Sequence, residues 1–359
     1  VNKSRVIVGL SGGVDSAVAA YLLKQEGHEV TGITMAIWDG KFKSTGKHAC
    51  YGPEEQEEIM EAREIAEHIG IPYHVFDCSA EYKESVLNYF RSEYLSGRTP
   101  NPCVRCNQLI KFGLLPLTAE KAGITFDHFA TGHYARVEQD NISGRFLLKK
   151  GIDQLKDQTY FIYRLSQIQL SRVMFPLGEF NKKRIKEIAR EAGIVAADKE
   201  ESQDFFSGDY KELVGTDENP GEIVDQEGKV LGYHKGIWNY TIGQRKGLGI
   251  AFSEPLYVIN LDTEKNRVVV GTRKETYKNS FIVTDMNWIS VEKPVKEIVI
   301  KCKIRSGQKE RDASVEPLTK NEARVTFHQA NDSITPGQSA VFYDGDKVVG
   351  GGIINSLCQ

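Results

Sequence analysis

Two stretches of this 359-residue chain hold side chains whose types and spacing can do chemistry. The first is Ser11-Gly-Gly-Val-Asp-Ser16. It lies between an apolar run, Val6-Ile-Val with Leu10, and a helical pattern from Ala17 that carries Val18, Tyr21 and Leu22 and stops at Gly27. Gly12 and Gly13 permit positive φ and close approach of a ligand, Asp15 or Ser16 can cap the helix, and a helix N-terminus facing such a loop attracts phosphate. The Gly-x-x-x-x-Gly-Lys-Ser/Thr and Gly-x-Gly-x-x-Gly patterns are both missing, so no loop lysine reaches a γ-phosphate. The second stretch is Ser96-Gly-Arg-Thr-Pro-Asn-Pro-Cys-Val-Arg-Cys-Asn107. Its prolines and glycine impose an irregular loop. Cys106 or Asn107 enters the following helix near its N-terminus, where the dipole lowers a thiol pKa and favours the nucleophilic thiolate.

The elements that must position these residues follow from periodicity. Val6 to Leu10 reads as a strand buried on both faces of a parallel sheet. Glu29 to Trp38 is a second strand whose Met35 is either a wall for a bound base or plain core. Asp39 to Tyr51, with Lys41, Lys43, Lys47 and His48, reads as a mobile loop ending at Cys50, and Pro53 opens a charged helix that runs to Gly70 with Ile59, Ala62, Ile65, Ala66 and Ile69 on one face. Ile71 to Phe76 is a third strand and about 81 to 94 a helix. Asp127 to Tyr134 is a fourth strand ending in Thr-Gly-His, where Gly132 can let a nucleotide approach and His133 is either structural or in contact with substrate. In an open sheet of this kind ligands gather at the carboxyl ends of the strands. Asn181 to Arg190 is a basic amphipathic helix with either a solvated face or a phosphate-contacting one. Past Asp198 the texture turns to short strands with closely spaced Gly and Pro. The fold expected is α/β, a doubly wound parallel sheet in residues 1–208, then a small middle domain over 209–274 and a C-terminal β-barrel over 275–359. Linkers are expected near Ser207-Gly208 and over Lys274 to Asn279.

Composition sets bounds. A net charge of −3 and a pI near 6.3 do not describe a nucleic-acid binder as a whole, so any basic surface is local. No apolar run of about eighteen residues occurs and the N-terminus enters a strand directly, so a soluble, cytoplasmic protein without membrane contact is expected. Six cysteines, at 50, 78, 103, 106, 302 and 358, have no disulfide-framework spacing and read as reduced thiols.

Ser11-Gly-Gly-Val-Asp-Ser16 resembles the pyrophosphate loop (PP-loop) of ATP pyrophosphatases, which cleave ATP between the α- and β-phosphates and leave AMP on the substrate. The whole chain resembles the bacterial tRNA-specific 2-thiouridylases. The motifs that carry this are the PP-loop, Gly97-Arg-Thr-Pro-Asn-Pro with Cys106-Asn-x-x-Ile-Lys-Phe112, Ala130-Thr-Gly-His-Tyr134, Lys156-Asp-Gln158, Gly243-Gln-Arg-Lys-Gly-Leu-Gly249 and Thr335-Pro-Gly-Gln-Ser-Ala-Val-Phe-Tyr343. The resemblance implies ATP-dependent replacement of the wobble-uridine O2 by sulfur in tRNAs for Lys, Glu and Gln, by adenylation of that oxygen. It implies ATP, with Mg²⁺, held by Gly9, Leu10, Ser11, Gly12, Gly13, Val14, Asp15, Ser16, Met35 and Gly132. It places the target base at Asn101, Pro102 and Cys103. It assigns tRNA contacts to His133, Lys156, Asp157, Gln158, Arg305, Ser306 and Gln338, with Arg305 and Ser306 inside a stretch, Lys296 to Arg311, of six basic and two acidic residues. A sulfur donor is implied, either a persulfide relay protein or sulfide, and a monomer is expected.

The chain departs from the family at the thiols. The family has Asp where this chain has Cys103, and a second active cysteine where this chain reads Ser202-Gln-Asp204-Phe-Phe206. Two readings stay open. Cys103 and Cys106 form a persulfide and disulfide couple, or they hold a [4Fe-4S] cluster with Cys50 as third thiolate and Asp204 as an oxygen ligand. Rival functions are an amide-forming PP-loop ligase, a thiouracil desulfidase on the same fold, and a non-catalytic tRNA-binding module.

Overall fold

A computed structural model describes residues 3–41, 49–194, 204–206, 208–215, 218–332 and 334–358. The basic residues Lys43, Lys47 and His48 and the linker position Ser207 lie outside that set. The chain divides into two compact units, one of Val1–Val86, Pro102–Asp209 and Gly345–Val348, the other of Leu87–Asn101, Tyr210–Asp344 and Val349–Gln359.

The first unit is built on β1 (Arg5–Gly9), β2 (Glu29–Ala36), β4 (Tyr73–Asp77), β5 (His128–Ala130) and β8 (Val173–Met174), in the order β4-β2-β1-β5-β8 and all parallel. Val6, Ile7 and Val8 are at most 1% exposed, which is why the run is apolar without alternation. Val8 pairs with Gly32 on one side and Ala130 on the other, so the loops after β1, β2 and β5 leave at one level. The chain departs from β1 in opposite directions across the sheet, the arrangement that opens a ligand crevice.

Helix α1 (Val14–Gln25) and α2 (Glu55–Ile69) cover the sheet with the helix Lys182–Glu191. Val18, Leu23, Ala62, Ile65, Ile185 and Ile188 share one buried cluster. Gly70 ends α2 in the left-handed region at φ 74°. Asn181 caps the Lys182–Glu191 helix, its Oδ1 accepting from Arg184 N at 2.9 Å. Beside the sheet lie the antiparallel pair β6 (Ala135–Gln139) and β7 (Phe146–Lys150) and the short parallel pair β3 (Ala49–Tyr51) with β9 (Asp204–Phe206).

The second unit carries the helices Asn88–Leu95 and Tyr210–Val214 and is otherwise mainly β, around two cores. Gly221–Val224, Val230–His234, Tyr257–Asp262 and Arg267–Gly271 form a four-stranded sheet over Ile223, Val258, Val268 and Val270. The stretch expected as a linker is structured: a 3₁₀ turn, Arg273–Thr276, runs straight into the strand Tyr277–Trp288. That strand pairs with Glu322–Asp332 on one edge and with residues 350–357 on the other, so the sheet curls into a barrel around Phe281, Val315, Phe327 and Phe342. Among the described residues no helix is long and apolar enough to cross a membrane.

Ile185 is fully buried where the Lys182–Glu191 helix meets α1. Ile185→Ala is expected to lower the unfolding free energy by about 2–5 kcal/mol. Urea unfolding reads it, and a loss within error of zero would contradict this packing.

Candidate active site

The loop after β1 is shaped by its own hydrogen bonds. Leu10 N donates to Ile33 O at 2.9 Å, which holds the strand exit beside β2. Gly12 then turns at φ 69°, and a Cβ there would meet Glu58 O at 2.9 Å and the Glu61 carboxylate at 2.8 Å. The helix starts three residues earlier than the pattern from Ala17 indicated. Gly13 is its N-cap, and neither Asp15 nor Ser16 caps it by side chain. Instead Ser16 Oγ donates to Gly13 O at 3.0 Å and accepts from Ser11 N at 3.2 Å, closing the loop on itself. The first-turn amides of α1, which lack intrahelical acceptors, remain for a ligand.

A cavity of about 310 Å³ opens at this edge. Of the residues expected to hold ATP, Gly9, Leu10, Ser11, Gly13, Val14, Asp15, Ser16, Met35 and Gly132 line it, and Gly12 does not. Met35 is therefore wall rather than core. At Gly132 a Cβ would lie 2.7 Å from Asp15 C and from Ser16 N, so the missing side chain also admits the loop backbone itself.

His133 and Gln158 also face the cavity. The His133 ring sits 5.5 Å from Phe112 and 6.1 Å from Phe175, with Nδ1 2.7 Å from Thr131 Oγ1. Burial, with Lys111 adding to it, drives its pKa well below the usual value, so it is a neutral hydrogen-bonding group at pH 7. Gln158 Oε1 accepts from Tyr134 N at 3.0 Å, and Asp157 accepts from Thr159 Oγ1 at 2.9 Å; both hold the Lys156–Gln158 turn in shape. Lys156 is half-buried.

Two charged residues in the site were not singled out from the sequence. Lys182 Nζ lies 2.8 Å from both oxygens of Asp15, and Tyr134 Oη donates to Asp15 Oδ1 at 2.8 Å. The only sequence signal was a basic helix with a lysine at its first position. Glu55, at the start of α2, accepts from Ile37 N at 2.6 Å and Trp38 N at 3.0 Å, fixing the chain just past Met35. Burial raises its pKa against the pull of those two amides.

The thiol corner differs from expectation. Pro102–Cys106 is a short helix that passes into a π-helical stretch, Asn107–Leu114, anchored by Asn107 Nδ2 donating to Phe161 O at 3.2 Å. Cys103 and Cys106, three apart, share one side of it. Cys106 is the last residue of that helix and the N-cap of the stretch that follows. Burial pushes its thiol up to about 12, while Lys111 pulls the other way. A dipole-lowered thiolate is thus corrected to a desolvated thiol. Lys111 also lines the cavity, as does Cys50, so both connect its wall to the thiol corner. The β3 and β9 pairing, Ala49 with Asp204 and Tyr51 with Phe206, sets Cys50 across from Phe205. Cys103 and Cys106 themselves are not part of the cavity wall.

The iron–sulfur expectation does not match this placement. Among the described residues no three His, Cys, Asp or Glu side chains gather as a metal-binding group, so Cys50, Cys103 and Cys106 do not assemble a cluster cradle. Asp204 is described only as strand backbone, and its side chain lies outside the described residues.

In the second unit two distant motifs interlock. Gln338 Nε2 donates to Thr99 O and Pro100 O, each at 3.0 Å, and Thr99 N donates to Pro336 O at 2.9 Å. Gly337, at φ 93°, has Thr99 O 2.6 Å from where a Cβ would stand. The segment leading to Asn101 is clamped by these contacts. Arg305 donates to Thr335 Oγ1 at 2.7 Å and Ile242 O at 3.2 Å, while Ser306 is exposed.

Comparison with known proteins adds the following. Residues 4–206 match the family model described as tRNA methyl transferase HUP domain, residues 212–272 the tRNA methyl transferase PRC-barrel domain, and residues 278–354 the aminomethyltransferase beta-barrel domain. The chain is 49% identical over 357 residues to tRNA-specific 2-thiouridylase MnmA of Endomicrobium trichonymphae, which spans 98% of this chain and 99% of that one. It is 48% identical over 361 residues to tRNA-specific 2-thiouridylase MnmA 2 of Caldanaerobacter subterraneus subsp. tengcongensis, spanning 98% of each. With tRNA-specific 2-thiouridylase MnmA of Acetivibrio thermocellus it shares 45% over 361 residues, spanning 99% of this chain and 100% of that one.

Two outcomes are expected from this geometry. With a thiol pKa raised to about 12, alkylation of Cys106 by iodoacetamide, followed by peptide mass spectrometry, climbs about tenfold per pH unit between pH 7 and 10. A plateau beginning near pH 8 would show a thiolate the structure does not provide. Gly132→Ala forces the Asp15–Ser16 backbone aside and is expected to weaken ATP binding about tenfold or more by equilibrium dialysis, whereas unchanged affinity would count against that close approach.

Proposed function

This chain belongs to the tRNA-specific 2-thiouridylase family, and on that footing we propose that it replaces the C2 oxygen of the wobble uridine by sulfur in tRNAs for Lys, Glu and Gln, driven by ATP. It is an ATP-dependent tRNA-uridine 2-sulfurtransferase. The observation that carries this reading is the single cavity that joins the PP-loop wall to Gly132, His133, Gln158 and Met35, with Lys111 and Cys50 on the side of the thiol corner.

Oxygen on the uracil C2 is a poor leaving group, which is why ATP is needed. ATP enters with Mg²⁺, its base against Met35 and Gly132 and its phosphates at the first turn of α1. The C2 oxygen attacks the α-phosphorus, pyrophosphate departs, and the loop amides balance the charge that develops on it. Oxygen is now the leaving atom of AMP. The terminal sulfur of a Cys106 persulfide attacks C2, the C2–O bond breaks and AMP leaves with the electron pair. Cys103 thiolate then attacks Cys106 Sγ. The sulfur–sulfur bond breaks toward the base, which keeps the sulfane sulfur as thiocarbonyl, and a Cys103–Cys106 disulfide remains for a dithiol reductant to reopen. Two thiols three residues apart on one helix suit that exchange.

The uridine leaves its stack to reach the site, facing Asn101, Pro102 and Cys103. The tRNA contacts are His133, Lys156, Asp157, Gln158, Arg305, Ser306 and Gln338. His133 makes its contact as a neutral group. The protein works as a cytoplasmic monomer supplied by a persulfide relay protein, or by sulfide that attacks Cys106 Sγ of the Cys103–Cys106 disulfide, leaving the Cys106 persulfide and releasing Cys103 as thiolate. Its domains are 1–208 for catalysis, 209–274 as a small connector and 275–359 as the tRNA-binding barrel, a division that the family-model matches at 4–206, 212–272 and 278–354 support.

Nucleoside mass spectrometry of tRNA incubated with protein, ATP and a persulfide donor is expected to give 2-thiouridine only when ATP is present, with one AMP formed per sulfur. Cys106→Ser is expected to cut product at least about a hundredfold while ATP affinity stays within twofold. Thiolation without ATP, or a fully active Cys106→Ser variant, rules the mechanism out.

A further inference from the structure

Asp15 is an awkward residue for the place it occupies. It lies in the first turn of α1, and its side chain forms part of the cavity wall together with Ser11, Gly13 and Ser16. A carboxylate there consumes the positive end of the helix and repels the polyphosphate that the same turn is shaped to hold. Lys182 answers that charge from 167 residues away, with Nζ 2.8 Å from each carboxylate oxygen, and the Tyr134 hydroxyl adds a third donor at 2.8 Å. The two side chains are only 13% and 26% exposed, so the pair is little screened by solvent.

The ammonium is also held in place from behind. Lys182 N donates to Asp153 Oδ2 at 2.9 Å, Asn181 caps the helix at Arg184 N, and Ile185 and Ile188 are buried in the cluster that contains α1. The Nζ stands 5.9 Å from the centre of the Tyr134 ring, a cation over an aromatic face. The anchored start of this helix and the Tyr134 ring therefore place Lys182 on Asp15, a residue of the cavity wall.

We propose that Lys182 is a positioning residue for the nucleotide, a counter-charge that holds Asp15 and cancels its repulsion so that the first turn of α1 accepts the phosphates of ATP. The inference rests on the reading of this cavity as the ATP site. It supplies from a remote helix the lysine that the loop itself lacks, but acting through Asp15 and not by reaching the γ-phosphate. Lys182→Arg keeps the charge and retains binding.

The test is ATP affinity by equilibrium dialysis, with KM for ATP and for tRNA measured alongside and thermal unfolding confirming that each variant is folded. Lys182→Met is expected to weaken ATP binding about tenfold to a hundredfold and to raise KM for ATP while KM for tRNA stays within twofold. In an Asp15→Asn background the same Lys182→Met change is expected to cost at least tenfold less, because no carboxylate remains to be neutralised. Wild-type protein that binds ATP saturably alongside an equally tight Lys182→Met variant overturns the inference alone. A loss of equal size in both backgrounds also overturns it, since Lys182 would then act on the phosphate directly or only on folding. No saturable ATP binding by the wild type overturns the reading of the cavity, and this inference with it.

Discussion

The exclusion of water from both faces of β1 is the constraint on which the reactive edge depends. With Val6, Ile7 and Val8 sealed, the strand's polar groups have only β2 and β5 to bond, and the pairing register has no room to slip. A shifted register would carry the Asp15–Ser16 backbone away from Gly132 and break the close approach of the two loops. Glycine at 32 and at 132 shows how tightly this is drawn: a Cβ at Gly32 would lie 2.6 Å from Leu10 Cδ1, and one at Gly132 would enter the loop backbone. The cavity is thus a by-product of strand packing, cut to size by two absent side chains.

The dryness that aligns the loops also sets their electrostatics. Cys106 is pushed up to about 12 and His133 well below its usual value, so neither carries charge at pH 7 in this state. Glu55 is displaced in the same sense and is restrained by two backbone amides. The charged side chains that line the cavity include Glu58, Asp15 with its partner Lys182, and Lys111 beside the thiol corner. Such a site holds its reacting groups uncharged until a polyanion and an activated base bring charge with them, which limits side reactions of an exposed thiolate.

Much of this was legible from residue order, because the signals were local. A short apolar run rich in β-branched residues reads as a strand shielded on both sides, and Ser-Gly-Gly before a helix reads as a loop that presents amides. The α2 stripe of Ala62, Ile65, Ala66 and Ile69 followed from spacing alone. What escaped was set by distance or by solvent. Lys182 was visible as a basic residue, but its partner is 167 positions away, and helix periodicity carries no information about that. Cys106 was visible as a thiol near a helix end, yet the sign of its shift depends on how much water reaches the sulfur, which the folded surroundings decide. Glu55 looked like one more acid on a charged helix until its amide partners beyond β2 were placed.

The clamp between Gln338 and the Thr99–Pro100 carbonyls has an implication for how the polypeptide is made. The hydrogen-bond donor emerges 239 residues after its acceptor, roughly 12 to 48 s later at ribosomal elongation speeds of 5–20 residues per second. Throughout that interval the tip ahead of Asn101 lacks its lock, whereas the parallel sheet has its last strand as soon as Met174 is made, well before Gln338. Maturation is therefore vectorial: the nucleotide pocket can close while the nascent chain is still tethered, and the tip settles only when the last barrel strands leave the exit tunnel.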